Sequence, residues 1–330
     1  MSEEIRFGIV GLGMGANRAK IASQTPGAKL VCVCSIQEDR AKQVADELNC
    51  DWTTEYEKML ERDDIDVVGV LTPSGLHAEF ATMAAKAGKH TFTTKPMDIL
   101  VEKCDKLIET AEEAGVILAV DFGERYGVTN KRVQKAIQSG LLGRIILADL
   151  RMKWYRAQSY YDGGSPAAWR SKLRYEGGSA ANQGVHFLDL IQWFVGDVKT
   201  VYGKRGTFAH DIETEDCSIG LLEFHSGAYG VIQTTTCSNP DLRSAMEFTA
   251  SNGTLAWKNS KVELYSLADN PDASLDDIEI EPGPKNIIED MMSAITKGTP
   301  VAVNGPEGRK SVAIFNAIYE SSRTGKVIEL

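Results

Sequence analysis

At 330 residues the chain exceeds a single ordinary hydrophobic core and suits two domains. Its 43% hydrophobic and 25% charged content is that of a globular protein, and its net charge of −10 excludes the basic footprint needed for nucleic acid or an anionic membrane surface. No apolar run reaches membrane-spanning length, Met1-Ser2-Glu3-Glu4 leads into a strand without a basic and apolar leader, and the six cysteines lack C-x-x-C spacing, so a reducing cytoplasmic setting without structural zinc is expected.

The first element carries the strongest signal. Ile5–Val10 is an apolar, β-branched run that enters Gly11-x-Gly13-x-x-Ala16, and helix formers follow from Asn17. Strand, tight turn and helix start form the context in which such a glycine pattern cradles a dinucleotide pyrophosphate. Gly11 permits the turn, Gly13 admits the phosphates, and Ala16 lets helix and strand pack closely. Gly11, Leu12, Gly13, Met14 and Gly15 are the expected cofactor loop, with phosphate on the helix N-terminus.

Leu30–Cys34 reads as the second parallel strand, with Cys32 and Cys34 as core residues. Where a carboxylate would read the ribose hydroxyls of NAD, the chain has Ser35, and Arg40 follows on the next helix. A neutral hydroxyl and a nearby cation tilt the expectation from NAD towards NADP. Trp52–Arg62 reads as a helix and Ile65–Leu71 as the third strand. Thr72 and Pro73 should face the cofactor, because open parallel sheets bind ligands beyond their carboxyl ends. His77 is counted with these cofactor-side residues, a structural or capping role being its plainer reading. His90–Pro96 forms the fourth strand and its exit, where Lys95 points an ammonium towards the expected crevice. Beside a nicotinamide such a group suits proton relay. Helix 101–114 and strand Val116–Val120 complete the sheet.

The second half differs in texture. A helix, Lys131–Ser139, precedes a long strand, Arg144–Met152. Next comes an aromatic and basic stretch, where Trp154, Arg156, Tyr160, Trp169 and Arg170, together with Arg125, are the candidate substrate contacts. Rings stack on apolar sugar faces, and guanidinium groups read hydroxyls or carboxylates. Ala180–Val195 reads as one helix with Asn182 and His186 one turn apart on the same face. An imidazole suits accepting a hydroxyl proton, and Asn182 can orient that hydroxyl. Asp189 is expected to orient the histidine or cap a neighbour. From Thr200 to Ser266 six alternating strands predict an open antiparallel sheet whose bare face pairs subunits, as a homodimer or homotetramer. His210 and His225 read as structural. Asn270–Pro284 is an acidic surface connection, Asn286–Thr296 is helical, and helix 306–322 is a candidate to pack back on the first domain.

Together, Gly11-x-Gly13-x-x-Ala16, Thr72-Pro73 with His77, Thr94-Lys95-Pro96, Gly177-Gly178 through Asn182-x-Gly184-x-His186-x-x-Asp189, and the closing Ala317–Gly325 resemble the Gfo/Idh/MocA oxidoreductases over nearly the whole chain. The resemblance implies a Rossmann α/β domain at 1–122, joined to an α+β domain at 123–330 for substrate and oligomerisation. It implies hydride transfer between NAD(P) and a secondary alcohol of a sugar, sugar derivative or cyclitol. Lys95 takes the place of the lysine in the family's E-K-P motif and His186 that of its catalytic histidine. The chain departs from the family pattern in two places. Thr94 replaces the usual Glu, and Asn182 stands where many members carry Asp. The Asn-Gln-Gly-x-His version is similar to a subgroup oxidising the 3-position of sugars and sugar-nucleotide acids. Other readings are an NAD-dependent glycoside hydrolase working by transient oxidation and a non-catalytic dinucleotide-binding regulator.

Overall fold

A near-continuous apolar run sets the first strand, β1 (Ile5–Val10), buried at every position but Arg6, with Phe7 and Ile9 fully buried. In the computed structural model, which describes residues 4–330, this strand lies inside a six-stranded sheet. The lead-in Met1–Glu3 lies outside the described residues. The chain divides into two compact units: residues 4–122 with 283–309, and residues 123–282 with 310–330.

In the first unit, β1 is followed by α1 (Gly15–Gln24), β2 (Ala28–Cys34) and α2 (Glu38–Leu48). The stretch 52–62, expected as one helix, is instead the strand β3 (Asp51–Thr53) and the short helix α3 (Tyr56–Leu60). The outer edge of β2 would otherwise leave backbone groups unpaired, and Cys32, Val33 and Cys34 align with Asp51, Trp52 and Thr53. Next come β4 (Val67–Val70), α4 (His77–Lys86), β5 (His90–Thr94), α5 (Val101–Ala114) and β6 (Leu118–Asp121). The strand order is β3-β2-β1-β4-β5-β6, all parallel, so the order reverses between β1 and β4. Such a switch point opens a crevice at the carboxyl ends. Helix Ile287–Lys297 belongs to this unit and seals its core with Ile287, Ile288 and Met291 beside Phe7, Ala19 and Ala22. Asn286 caps it, its Oδ1 accepting from the Ile288 and Glu289 amides at 3.0 and 3.1 Å.

The second unit begins with a short 3₁₀ turn (Gly123–Tyr126), α6 (Val128–Gln138), β7 (Ile145–Lys153) and the short α7 (Gln158–Asp162). Ser179–Gly184 winds as a π-helix into α8 (Val185–Val195), so the single helix expected over 180–195 is two kinds of helix. The reason is local. The Ser179 amide bonds the Glu215 carbonyl at 2.8 Å and the Ala180 amide bonds the Glu215 carboxylate at 2.8 Å, which holds the first turn wide.

Six strands follow: β8 (Val198–Gly206), β9 (Cys217–Phe224), β10 (Tyr229–Thr235), β11 (Arg243–Ala250), β12 (Gly253–Lys258) and β13 (Lys261–Leu267), with β14 (Ile328–Glu329) at the edge. The order β13-β12-β11-β7-β10-β9-β8-β14 is mixed rather than purely antiparallel, because β10 runs parallel to β7. A pair of strands in one direction needs a long crossover, and here the aromatic stretch, α8 and the β8–β9 hairpin supply it. One face is covered: Phe194 of α8 meets Phe248 edge-on at 5.9 Å. On the bare face stand Ile219, Leu221 and Tyr229.

Helix Gly305–Thr324, a candidate to pack on the first domain, contributes only its first turn to the first unit. From Lys310 onward it belongs to the second, where Ile318 lies against Gly203 and Gly220. A Cβ at Gly203 would sit 2.9 Å from Ile318, so the glycine is what admits the helix to the sheet.

Candidate active site

The cofactor side is built on the carboxyl ends of β1, β2, β4 and β5. Gly11 has φ +89°, and a Cβ there would fall 2.4 Å from the Leu71 carbonyl, so no other residue fits. A Cβ on Gly13 would meet no protein atom within 4 Å, which leaves that side of the loop clear. No side chain caps α1; the Asn17 amide turns back to the Met14 carbonyl at 3.1 Å, and the amides ahead of it stay available to an anion. Thr72 Oγ1, at the end of β4, is buried without a hydrogen-bond partner. A turn of forced shape, a cleared approach, uncapped amides and an orphaned hydroxyl fit a dinucleotide.

Ser35 is buried and its Oγ accepts from the Gln37 amide at 3.2 Å. Arg40 does not merely face solvent. Its Nε donates to the Leu12 carbonyl at 3.2 Å, bringing the guanidinium against the glycine loop.

His77 is 1% exposed, with Nδ1 2.7 Å from the Pro96 carbonyl and Nε2 2.7 Å from the Thr72 carbonyl. The ring therefore pins together the exits of β4 and β5. Burial, helped by Lys95, pushes its pKa down to about 4 against the pull of the two carbonyls; the neutral ring donates to one of these oxygens and only packs against the other. Its partners are backbone, and its role is to hold Thr72 and the Lys95–Pro96 turn. Lys95 follows the last residue of β5 and is half-buried. Its neighbour Thr94 pairs in register with Asp121, whose carboxylate takes Arg18 Nε at 2.6 Å. The carboxylate missing at position 94 thus has a counterpart one strand away, already matched by a cation.

The substrate side lies in the second unit. Asn182 is in the π-turn and His186 on the first turn of α8, both half-buried. Asn182 Oδ1 accepts from Gln183 Nε2 at 2.9 Å and from the Tyr160 hydroxyl at 3.4 Å, and Gln183 Nε2 also reaches that hydroxyl at 2.8 Å. Around Tyr160 the aromatic stretch folds back on itself. The Arg156 guanidinium lies 5.1 Å from the Trp154 ring centre and 5.4 Å from Tyr160, and that of Arg170 lies 4.4 Å from Trp169 and 4.8 Å from Tyr160. Trp154, Arg156, Tyr160, Trp169, Arg170 and Asn182 are thereby joined in one cluster. Arg125, expected with them, is turned to another task. Its fork grips Asp189 at 2.8 and 2.7 Å with both side chains sealed from solvent, tying the turn before α6 to α8. Asp189 is correspondingly the partner of an arginine.

Segment 207–216, which joins β8 to β9 and holds His210, expected as a structural histidine, supports this whole side. His210 Nδ1 meets Asp216 Oδ2 at 3.0 Å and its Nε2 meets the Arg156 carbonyl at 2.8 Å. Asp216 also accepts from the amides of Phe208, Ala209 and His210 at 2.9, 2.8 and 3.1 Å. Those backbone donors hold its carboxyl below the usual range despite burial. His210, Asp216 and Cys237 offer ligand atoms within 4.8 Å of one another, but Asp216 Oδ2 is already engaged by backbone amides and both imidazole nitrogens face protein oxygens. Glu215 Oε1 takes the Ala180 amide, while its Oε2 is buried without a partner, and burial pushes its pKa up to about 7. Nothing in the local sequence marks these residues, because each acts on a segment tens of positions away.

The comparisons with known proteins agree with this geometry. Residues 5–122 match the family model described as "Oxidoreductase family, NAD-binding Rossmann fold", and residues 130–256 match "GFO/IDH/MocA C-terminal domain". The WlbA dehydrogenase from Bordetella pertussis, solved in complex with NADH and UDP-GlcNAcA, is 30% identical, with 99% of each chain covered and a TM-score of 0.91. The chain belongs to the GFO/IDH/MocA oxidoreductase family. Among other members, scyllo-inositol 2-dehydrogenase (NAD(+)) of Bacillus subtilis is 29% identical over 246 residues, 72% of this chain and 69% of that one. Myo-inositol 2-dehydrogenase of Thermotoga maritima is 23% identical over 352 residues, covering 99% and 98%. As a family member the chain is an oxidoreductase with an NAD-binding Rossmann domain. No described helix is long and apolar enough to cross a membrane.

Proposed function

We propose that the chain oxidises a secondary alcohol of a sugar, sugar derivative or cyclitol, with His186 as the general base. The observation that carries this reading is the half-buried imidazole at the start of α8, preceded by the π-turn that carries Asn182 and is held by Glu215. Gly11, Leu12, Gly13, Met14, Gly15, Ser35, Thr72 and Pro73 would hold the dinucleotide, which when bound would supply the hydride acceptor. His186 takes the hydroxyl proton, the Lys95 ammonium steadies the developing charge on the oxygen, and Asn182 orients the hydroxyl through its side-chain amide. Trp154 and Trp169, each carrying one guanidinium, offer their other ring face to a sugar.

Cofactor reduction followed spectrophotometrically against a panel of sugars, sugar acids and cyclitols tests the reading. His186→Ala and Lys95→Ala should each lower turnover by about 100-fold or more. Full activity in both variants rejects these roles.

Three finer readings accompany it. A preference for NADP over NAD rests on neutral Ser35 and on Arg40 drawn against the glycine loop, and the ratio of kcat/KM with the two cofactors decides it. Assembly of two or four copies through the bare sheet face rests on exposed Ile219, Leu221 and Tyr229, and sedimentation of Leu221→Glu tests it. A reducing cytoplasmic setting accords with six unpaired cysteines.

A further inference from the structure

We infer that the substrate carries an anionic group, a carboxylate or a phosphate, and that Arg156 and Arg170 grip it beside Tyr160. This deepens the reading above and rests on its placing the substrate beside Asn182 and His186.

The charge distribution is the first ground. The chain carries ten more acidic than basic side chains, yet residues 154–174 hold Arg156, Arg170, Lys172 and Arg174 against the single acid Asp162. Two of these charges are accounted for: Lys172 pairs with Glu213 at 2.9 Å, and Asp162 accepts from Gln158 at 2.9 Å. Neither Arg156 nor Arg170 forms an ion pair among the described residues. Both guanidinium groups nevertheless stand within 5.4 Å of one tyrosine ring. Two half-buried guanidinium groups on one tyrosine ring, with no carboxylate paired to either, leave positive charge that an anion can balance.

The second ground is the hydrogen-bond inventory. Arg156 donates from Nη1 to the Tyr155 carbonyl at 2.8 Å and from Nη2 towards Gln183 Oε1 at 3.5 Å, which fixes its plane. Arg170 has five donors and no acceptor among the described residues; only the Trp169 and Tyr160 rings hold it. A planar fork held by aromatic faces with its donors uncommitted is the arrangement that receives planar or tetrahedral oxyanions. The third ground is the link to the chemistry. Tyr160 touches Asn182 and Gln183 through its hydroxyl, so an anion seated here stands at a set distance from the turn that leads into His186. Such an anchor selects which carbon of the substrate is presented to the base.

Glucose, glucuronate, UDP-glucose and UDP-glucuronate separate the two sources of charge, since each combination of carboxylate and diphosphate is represented once. Turnover with NAD and with NADP, and equilibrium binding to the protein loaded with NADH or NADPH, are all measured. The matching anion should raise kcat/KM by about 100-fold over glucose. Arg170→Gln and Arg156→Gln should each cut that selectivity by about 10- to 100-fold, chiefly through KM. Arg170→Lys should recover most of it for a phosphate and little for a carboxylate gripped by two parallel bonds. Unchanged thermal midpoints in these variants set aside loss of fold. If no sugar is turned over but the charged probes bind and the Gln variants release them, the anion site stands and the dehydrogenase reading falls. If glucose equals the charged sugars, or the Gln variants bind UDP-glucuronate and glucuronate as tightly as the native protein, the inference is overturned.

Discussion

Glu215→Gln exposes the cost of keeping a carboxyl under the turn that presents Asn182. The side chain is 1% exposed; Oε1 takes the Ala180 amide, while Oε2 has no partner. Burial pushes the carboxyl up from 4.5 to about 7. A raised carboxyl binds its proton more tightly folded than unfolded. Its contribution is therefore fully present below pH 4.5 and is lost as pH rises through about 7. A span of this width is worth ~3 kcal/mol. Glutamine keeps an oxygen for Ala180 and has no charge to bury. Between pH 4.5 and pH 8 the stability of the variant relative to the native protein should thus rise by ~3 kcal/mol, on the order of 5–10 °C in the unfolding midpoint of this unit. Thermal unfolding of both proteins at the two pH values measures it. An equal gap at both values refutes the reasoning, because then the buried carboxyl is not titrating across this window.

His77→Phe should flatten stability on the acid side: a neutral histidine with its pKa at about 4 loses stability as pH falls from 6.5 towards 4, and denaturation across that range reads the change. Gly11→Ala places a Cβ 2.4 Å from the Leu71 carbonyl at a positive φ, so NADH binding, followed by fluorescence, should weaken by at least about tenfold. His210→Phe leaves the Arg156 carbonyl without its side-chain donor and should lower stability by about 1–3 kcal/mol in chemical denaturation while raising substrate KM. His210→Gln, which can still donate to that carbonyl, should recover most of the KM. Gly178→Ala sets a Cβ 1.1 Å from Glu215 Oε2 and should abolish soluble expression, whereas the same change at Gly123, with nothing within 4 Å and no positive φ, should not.

Much of this architecture is written locally. A β-branched run meeting Gly11-x-Gly13 states its own conformation, because glycine at φ +89° and an uncapped helix start depend on neighbours in the chain. The strands from β8 to β13 were legible for the same reason: alternation of buried and exposed positions is a property of the strand itself. The cluster of Trp154, Arg156, Tyr160 and Arg170 was visible as composition, and its assembly around one ring was not.

What the amino-acid order determined alone was the set of elements whose signals lie within a few residues: the dinucleotide loop, the helix that carries His186, and Lys95 at a strand exit. What only tertiary structure decided were the pairings across distance. The parallel placement of β10 beside β7, the edge strand at Asp51–Thr53, the capture of Arg125 by Asp189, and the support of Arg156 and Ala180 by residues 210–216 are of this kind. The physical reason is that a buried backbone amide or charge must find a partner somewhere, and a partner 35 to 64 positions away leaves no mark on the residues beside it.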